Sequence, residues 1–473
     1  MEKNEILPKT NQPFVKSSCH SRYRGYILSH NQRSPAHMDN IYNPGTRRWS
    51  LLLALLAFCL TACDDKVEYT RIYTVYEPVY TSPDEIRASF AVEETPRILH
   101  DPGKIYIYGD YLFINEPGEG IHVINNTDKA NPMNIRFISI PGNFDMAAKD
   151  GALYADSYMD LLVLDIRDIH NISITSRSEN IFSNAMTAGT YDPQRGVITD
   201  WKEREKIDVS SGDFNGDFPY YFPYGGMFYA TMDASSLPRA SAAAPQSTTG
   251  TGGSMARFTI AGDYLYTIDN NSLYTFNIQN PETPTQGPTT SVGWGIETVF
   301  PYNGNLFIGA QNGMHIYSLQ QPLTPRRLST FSHVVSCDPV VVHDTLAYVT
   351  LRGGTTCRGF INQLDIINIK NLEAPQLLVS HPMQSPYGLA YEDGLLFICE
   401  GEHGLKVYDV TDIYKVGSRM LDHETGIDAY DVIPYQEVLI MIGREGLYQY
   451  DYSNPRDLKL LSRLTIERTK PIN

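Results

Sequence analysis

Short apolar runs recur along this chain, each bounded by Gly, Asp, Asn or Pro. Leu161-Leu162-Val163-Leu164-Asp165-Ile166 is one, Gly404-Leu405-Lys406-Val407-Tyr408-Asp409-Val410 another, and Gly120-Ile121-His122-Val123-Ile124-Asn125 a third. The runs are too short for helices and rich in the β-branched and aromatic residues that favour strands. The first complete unit reads Lys104 to Tyr108, a Gly109-Asp110 turn, Tyr111 to Asn115, a Gly-containing turn, Gly120 to Ile124, a stop at Asn131-Pro132, then Asn134 to Ile140. That predicts four strands and three turns. Pro132 ends a strand because it cannot donate to a ladder.

The unit returns at fixed spacing. Its third strand begins near Ile121, Leu162, Leu273, Met314, Leu364, Leu405 and Leu447, at steps of 41, 111, 41, 50, 41 and 42 residues. A period near 40 with four strands per repeat predicts an all-β fold, a β-propeller of about seven blades, with six or eight as alternatives. A single blade has two apolar faces and needs a neighbour on each. Runs such as Leu161 to Ile166 are therefore apolar at nearly every position instead of alternating. The two long steps are insertions. One spans about residues 182–252, and the other enlarges a loop around Arg352 to Cys357. In the long insertion, Val197 to Trp201 predicts a short strand, Phe218 to Tyr229 is densely aromatic, and Ala240 to Ser254 reads as a flexible linker.

The N-terminal region has a different character. Arg47-Arg48 precede the apolar run Leu51 to Leu60, which is too short to span a bilayer but suits a signal-peptide core. Leu60-Thr61-Ala62-Cys63 then resembles a bacterial lipobox, which implies that Cys63 carries lipid; Asp64-Asp65 resemble surface-export signals of some Gram-negative lipoproteins. Residues 1–37 put an unusually long polar stretch ahead of this signal, so translation is expected to start at Met38. Residues 1–62 are then extension and signal, 63–100 an anchor and tether with an extended lead-in, and 101–473 the propeller. No other segment could span a membrane, so the mature protein is expected to be anchored to it through its lipid.

Charge narrows the partners. The formal net charge is −16, and the first 62 residues contribute +5 (eight Lys/Arg against three Asp/Glu), leaving −21 on the remainder. Such a body repels phosphate backbones, which excludes nucleic acid. No Gly-x-Ser-x-Gly elbow, P-loop, His-Glu-x-x-His or dinucleotide fingerprint is present. Three Trp among 473 residues argue against a Trp-lined propeller dehydrogenase.

The repeats resemble the LVIVD-repeat family of bacterial β-propeller lipoproteins. The likeness rests on Leu161 to Asp165, Leu364 to Ile369, Gly404 to Val410, Pro102 to Tyr106 and Ser336 to Pro339, and covers about residues 100–465. It implies a propeller at the outer membrane, on the cell surface or the periplasmic face, and no particular chemistry.

Candidate chemistry follows from the repeat alignment. Propeller ligands meet at the mouth of the central channel, where the inner strands begin. Aligning the blades puts Asp145, Arg257, Glu297, Asp338, Tyr387, Tyr430 and Asp431 at or beside that mouth. Converging carboxylates could hold a cation, Ca2+ being the ion suited to oxygen ligands, although no metal site is assigned. Asp145, Glu297, Asp338 and Asp431 could instead serve as an acid/base set for a lyase or hydrolase acting on an extracellular polymer. The leading expectation is a non-catalytic binding or scaffold protein of the envelope, with an envelope protein or glycan as partner and no catalytic residues. Asp213-Phe214-Asn215-Gly216-Asp217 has oxygen ligands at alternate positions, but its glycine stands at the fourth position of a calcium loop instead of the sixth and no glutamate stands at the twelfth, so it reads as a turn. His122, His315 and His403 stand singly and read as structural, and Cys399 reads as core.

Cys337 and Cys357 fall toward one end of the fifth unit in an oxidising compartment, so a disulfide is expected, worth about 3 kcal/mol for a loop of this length. Peptide mass mapping checks both covalent readings. A lipid-modified Cys63 with no peptide from residues 1–37 in the precursor, and a Cys337–Cys357 peptide pair that separates on reduction, are expected. Peptides from residues 1–37, or masses unchanged by reductant, would contradict the respective reading.

Overall fold

The computed structural model describes residues 68–182, 191–192, 194–211, 249–333, 339–354 and 361–467. Cys63, Cys337, Cys357, Asp338, the Asp213–Asp217 turn and the Phe218–Tyr229 aromatic stretch lie outside these residues.

The chain divides into two compact units. The smaller comprises Met1–Pro78 and Trp201–Pro223. Its described part contains portions of the long strands Glu68–Thr81 and Gly196–Ser211, with an Arg204–Glu77 ion pair at 3.0 Å. The second of these strands is far longer than the expected Val197–Trp201 segment.

The larger unit, Val79–Asp200 and Tyr224–Asn473, is a β-propeller. Seven sheets with antiparallel, sequential strands follow one another among the described residues. The first contains Ile105–Tyr108, Tyr111–Glu116, Gly120–Asn125 and Met133–Ser139, close to the expected limits. The others begin at Met146, Phe258, Ile296, Val340, Leu389 and Ala429. First strands of successive sheets contact each other in chain order. The ring closes by side-chain packing: Ile105, Ile107, Leu112 and Ile114 of the first sheet share an apolar cluster with Ile433, Ile440, Ile442 and Leu447 of the last. Asn126 and Gln449 exchange amide hydrogen bonds of 3.0 and 2.7 Å across the same junction.

One local device shapes all seven described third strands, and a second shapes four of them. At the strand exit a short polar side chain accepts from the backbone N–H two residues on. Asn125, Asp165, Asn277, Ser318, Asn368, Asp409 and Asp451 all do this, at 2.8–3.3 Å. The bond turns the chain out of the ladder toward the fourth strand. At the entrance stands a glycine in four blades, Gly404 among them. Gly404 has φ +84°, and a Cβ there would lie 1.9 Å from the Glu424 carbonyl oxygen. Gly120, Gly313 and Gly446 meet fourth-strand carbonyls in the same way. The third strand itself is buried on both faces: Leu161, Leu162, Val163 and Leu164 are at most 1% exposed.

Two stretches differ from their expectation. Residues 82–93 are ordered against the propeller. Ser82 and Glu85 form a capping box around the helix Pro83–Ala88, and Pro83 occupies its first turn. Arg87 then binds buried Asp160 of the second sheet through two hydrogen bonds of 2.8 and 3.1 Å, and Ala91–Glu93 pairs with the outer strand of the first sheet. The Ser-Pro-Asp-Glu sequence was the available signal. The second stretch is the end of the expected linker. Thr251–Gly252 pairs with the first strand of the first sheet, and Thr249 bridges to Lys149 of the second. Gly250 is needed there because a Cβ would lie 2.2 Å from the Tyr106 ring. Small residues that suggested flexibility are small because the backbone passes through a tight space.

The Gly404→Ala variant should lose about 1–3 kcal/mol, since it combines a strained φ with a backbone clash. Gly262→Ala, whose Cβ would meet nothing within 4 Å, should lose less. Urea denaturation checks this; equal losses would contradict the steric account.

Candidate functional site

The polar residues at the axis are organised by the segment that follows the long insertion. Residues 249–257 run among the first strands of several sheets. Gly250 N–H donates to Ala148 O of the second sheet (2.8 Å), and Ala256 O accepts from Val299 N–H of the fourth (2.9 Å). Ser254 Oγ accepts from Leu389 N–H of the sixth (3.3 Å). Ser254, Met255, Ala256 and Arg257 are all buried.

Of the mouth residues expected from the repeat alignment, Asp145 is the most constrained. One carboxylate oxygen accepts from Lys104 Nζ at 2.9 Å, from Phe258 N–H at 3.0 Å and from Arg257 N–H; the other accepts from Met146 N–H at 2.7 Å. This single side chain therefore joins the first, second and third sheets. A carboxylate engaged by so many donors has little lone-pair capacity left to ligate a cation. Lys104 was not anticipated, since it lies at the lead of a strand that reads as purely apolar. Its ammonium is pulled below the ordinary range by burial, against the opposing pull of Asp145, with the Arg257 charge adding to the depression.

Asp145 is hydrogen-bonded through its backbone N–H to Asp156, another side chain the sequence reading missed. It interrupts the apolar strand Ala152–Ser157, and a carboxylate inside such a run was the available clue. Its Oδ1 accepts from Phe144 N–H (2.8 Å), Asp145 N–H (3.0 Å) and Asn143 Nδ2 (2.9 Å). Its Oδ2 is buried and meets no hydrogen-bond partner among the described residues. Burial pushes the acid up from 3.8 to about 7, against the lowering effect of those backbone donors.

Arg257, Glu297, Arg352 and Tyr387 form the next group. Arg257 is 7% exposed, and its Nη1 has no hydrogen-bond acceptor among the described residues. Glu297 is half-buried and accepts from Gln311 Nε2 at 3.0 Å. Desolvation raises its pKa, while the Gln311 hydrogen bond and the charges of Arg257 and Arg352 pull it down. Arg352, in the loop the repeat spacing had marked as enlarged, stacks its guanidinium 3.7 Å from the Tyr387 ring centroid. Tyr387 in turn lies 5.5 Å from Tyr430, centroid to centroid. Arg444 Nε reaches Tyr430 Oη at 3.2 Å and Asp428 Oδ2 at 2.7 Å. Asp431 is fully buried, with Oδ1 accepting from Val432 N–H at 2.7 Å, and does not line the exposed part of the mouth.

No group of three His, Cys, Asp or Glu among the described residues is arranged to hold a metal ion. His122 pairs with buried Glu116 at 2.8 Å, and His315 is packed beside Arg327 with its imidazolium disfavoured by burial, down to about 4. Cys399 is buried within its strand. No described helix is long and apolar enough to cross a membrane.

Asp156 generates a pH dependence with a definite sign. Its folded pKa lies above the unfolded value, so between about pH 4 and about pH 7 the native state holds a proton that the unfolded chain has released. This contribution to stability is fully present below the unfolded pKa and is lost as pH rises through about 7. Asp156→Asn, which mimics the protonated acid, should flatten this part of the profile. Urea midpoints across that range check it; an unchanged slope in the variant would contradict the assignment.

No protein-family model matches the chain, and no curated protein matches it. Among solved structures it is similar to the computationally designed Ika8 protein, at 8% identity and a TM-score of 0.45, over 80% of this chain and 93% of that one. It is also similar to Sqt1 of Saccharomyces cerevisiae (10%, TM-score 0.43, 78% and 87%) and to Hsv2 of Kluyveromyces lactis (9%, TM-score 0.42, 78% and 100%). These likenesses do not bear on function, and the propeller assignment rests on the seven sheets themselves.

Proposed function

We propose that this chain is an LVIVD-repeat lipoprotein of the cell envelope, anchored through Cys63, that acts as a non-catalytic binding or scaffold module through its axial mouth. The observation that carries the reading is how the mouth charges are employed. Asp145 is bound by donors from three sheets, and Asp156 and Asp431 are buried. Of the four carboxylates that an acid/base mechanism would draw on, Glu297 is the one among the described residues that is not fully buried. A general acid/base pair needs two groups within reach of one substrate bond. Arg257, Arg352, Glu297, Tyr387 and Tyr430 instead have the composition of a recognition surface, where Arg and Tyr dominate contact energy. The lipid anchor and envelope location rest on the Leu60–Cys63 signal and the acidic body.

A pull-down from intact envelopes tests this. The wild-type chain should capture a partner that the Tyr387→Ala/Tyr430→Ala double variant captures at least tenfold less, with thermal stability retained. Capture that neither this variant nor deletion of residues 212–248 diminishes would overturn the reading. So would a turnover that disappears in Glu297→Gln.

A further inference from the structure

We propose that Trp294 is the stacking platform of a glycan-binding site, at the end of the propeller where the first strands begin, and that its ligand is a neutral chain of gluco-configured pyranose rings. The arginines and tyrosines of the axial mouth take no part, so this site goes beyond the proposed function and can fail without it.

The loop is built to hold an indole in water. Val292 and Ile296 are buried in one apolar cluster, while Gly293 and Trp294 between them are exposed, Trp294 at 64%. Asn271 O accepts from Val292 and Gly293 N–H at 2.9 and 3.2 Å, and Asn270 O accepts from Gly295 and Ile296 N–H at 2.9 and 3.2 Å. From the other side Gln311 N–H donates to Gly295 O at 2.8 Å. The loop is thus clamped between a turn of the third sheet and a turn of the fourth. The first of these turns is itself fixed: Asp269 Oδ1 accepts from Asn271 and Ser272 N–H at 2.8 and 2.7 Å, and Oδ2 from Tyr274 Oη at 2.8 Å. Gly293 (φ +134°) and Gly295 (φ +78°) bracket Trp294 with backbone angles that other residues adopt only with strain, and a Cβ on Gly295 would lie 3.3 Å from Gln311 Cβ. An aromatic side chain on a loop held this way costs little to order on binding.

The surroundings select the ligand. The two clamping turns carry amides: Asn270 and Asn312 are exposed, Asn271 and Gln311 half-buried. Amides both donate to hydroxyls and accept from them. No Lys or Arg occurs between Arg257 and Arg326, so the third and fourth sheets have no cation of their own for an acidic sugar or an anionic headgroup. Glu297, the charged residue nearest the loop, is half-buried and hydrogen-bonded by Gln311. Among the described residues Trp294 is the one exposed large hydrophobic side chain of these two sheets. A protein partner or a membrane would need a wider apolar surface around it. A single aromatic face beside amides fits a pyranose, whose C–H face packs on the indole while its hydroxyl edge meets the amides. Equatorial hydroxyls leave that C–H face unobstructed, which selects the gluco configuration.

The test is titration calorimetry with indole fluorescence on the purified full-length chain. The probes are cellohexaose, β-1,4-mannohexaose, β-1,4-hexaglucuronate and vesicles of phosphatidylethanolamine and phosphatidylglycerol. Cellohexaose should bind saturably, shift the indole emission, and bind at least tenfold more tightly than the other two oligosaccharides. Trp294→Ala should weaken it at least tenfold at an unchanged thermal midpoint, since the side chain it removes is exposed. Trp294→Tyr, which keeps an aromatic face, should stay within a few-fold of wild type. The Tyr387→Ala/Tyr430→Ala variant should bind cellohexaose as wild type does. Equal affinity for mannohexaose would overturn the configuration, and equal affinity for hexaglucuronate would overturn the neutral ligand. Undiminished binding in Trp294→Ala, or loss of binding in the tyrosine variant, would overturn the site. Vesicles that shift the emission where cellohexaose does not would replace the glycan with a membrane. A partner captured through the mouth, with no cellohexaose binding by the intact chain, would sink this inference while leaving the proposed function standing.

Discussion

A propeller blade is a sheet with two apolar faces, and neither can be left to water. That constraint underlies the rest of this structure. It makes third strands such as Leu161 to Leu164 apolar throughout, and it requires the first and last sheets to meet, which they do through Ile105, Ile107, Ile433 and Ile440. Burial of each such side chain is worth about 1.5–3 kcal/mol, so a ring left open at one junction would forfeit a substantial part of its stability. Among the described residues no strand is shared across the closing junction. The junction is held by this packing, by the reciprocal Asn126–Gln449 amide pair, whose polar atoms would be costly if unmatched, and by bonds such as Ser462 Oγ to Lys129 O and Glu467 N–H to Leu99 O.

The same geometry creates a problem at the centre, where seven first strands converge and side chains must fill a narrow space. The chain meets it with backbone. The segment 249–257 threads among those strands, using Gly250 where Tyr106 leaves no room for a Cβ. Threading backbone through the axis brings polar groups into a low-dielectric region, where each must find a partner. Asp145 answers much of that need by accepting from Arg257 and Phe258 N–H while neutralising Lys104. The ionisable cluster at the axis is thus largely a consequence of plugging it. Arg257 is the exception, because its Nη1 is not taken up by that network.

Much of the fold was legible from periodicity. The repeat spacing locates the seven third strands found among the described residues, each close to its expected start. The site was legible only in outline. Alignment brought Asp145, Arg257, Glu297, Tyr387 and Tyr430 to the axial region, but it could not separate Asp145, consumed by three sheets, from Arg257, which retains a donor. Lys104, Asp156 and Arg352 were missed because each belongs to a stretch whose neighbours define its apparent role: a strand lead, a strand interior and a loop.

What the amino-acid sequence determined by itself was local. Apolar periodicity, Asx residues at strand exits and glycines at strand entrances act within one blade, and a repeat that acts within one blade can be read in one dimension. The tertiary structure alone decided which charges share a space. Lys104 and Asp145 are 41 residues apart, and Asp145 and Arg257 are 112 apart, yet they are in hydrogen-bond contact at the axis. It also decided that a Ser- and Gly-rich stretch would fill the centre of the ring. Small side chains are compatible with freedom and with confinement alike, and the surrounding walls settle which applies.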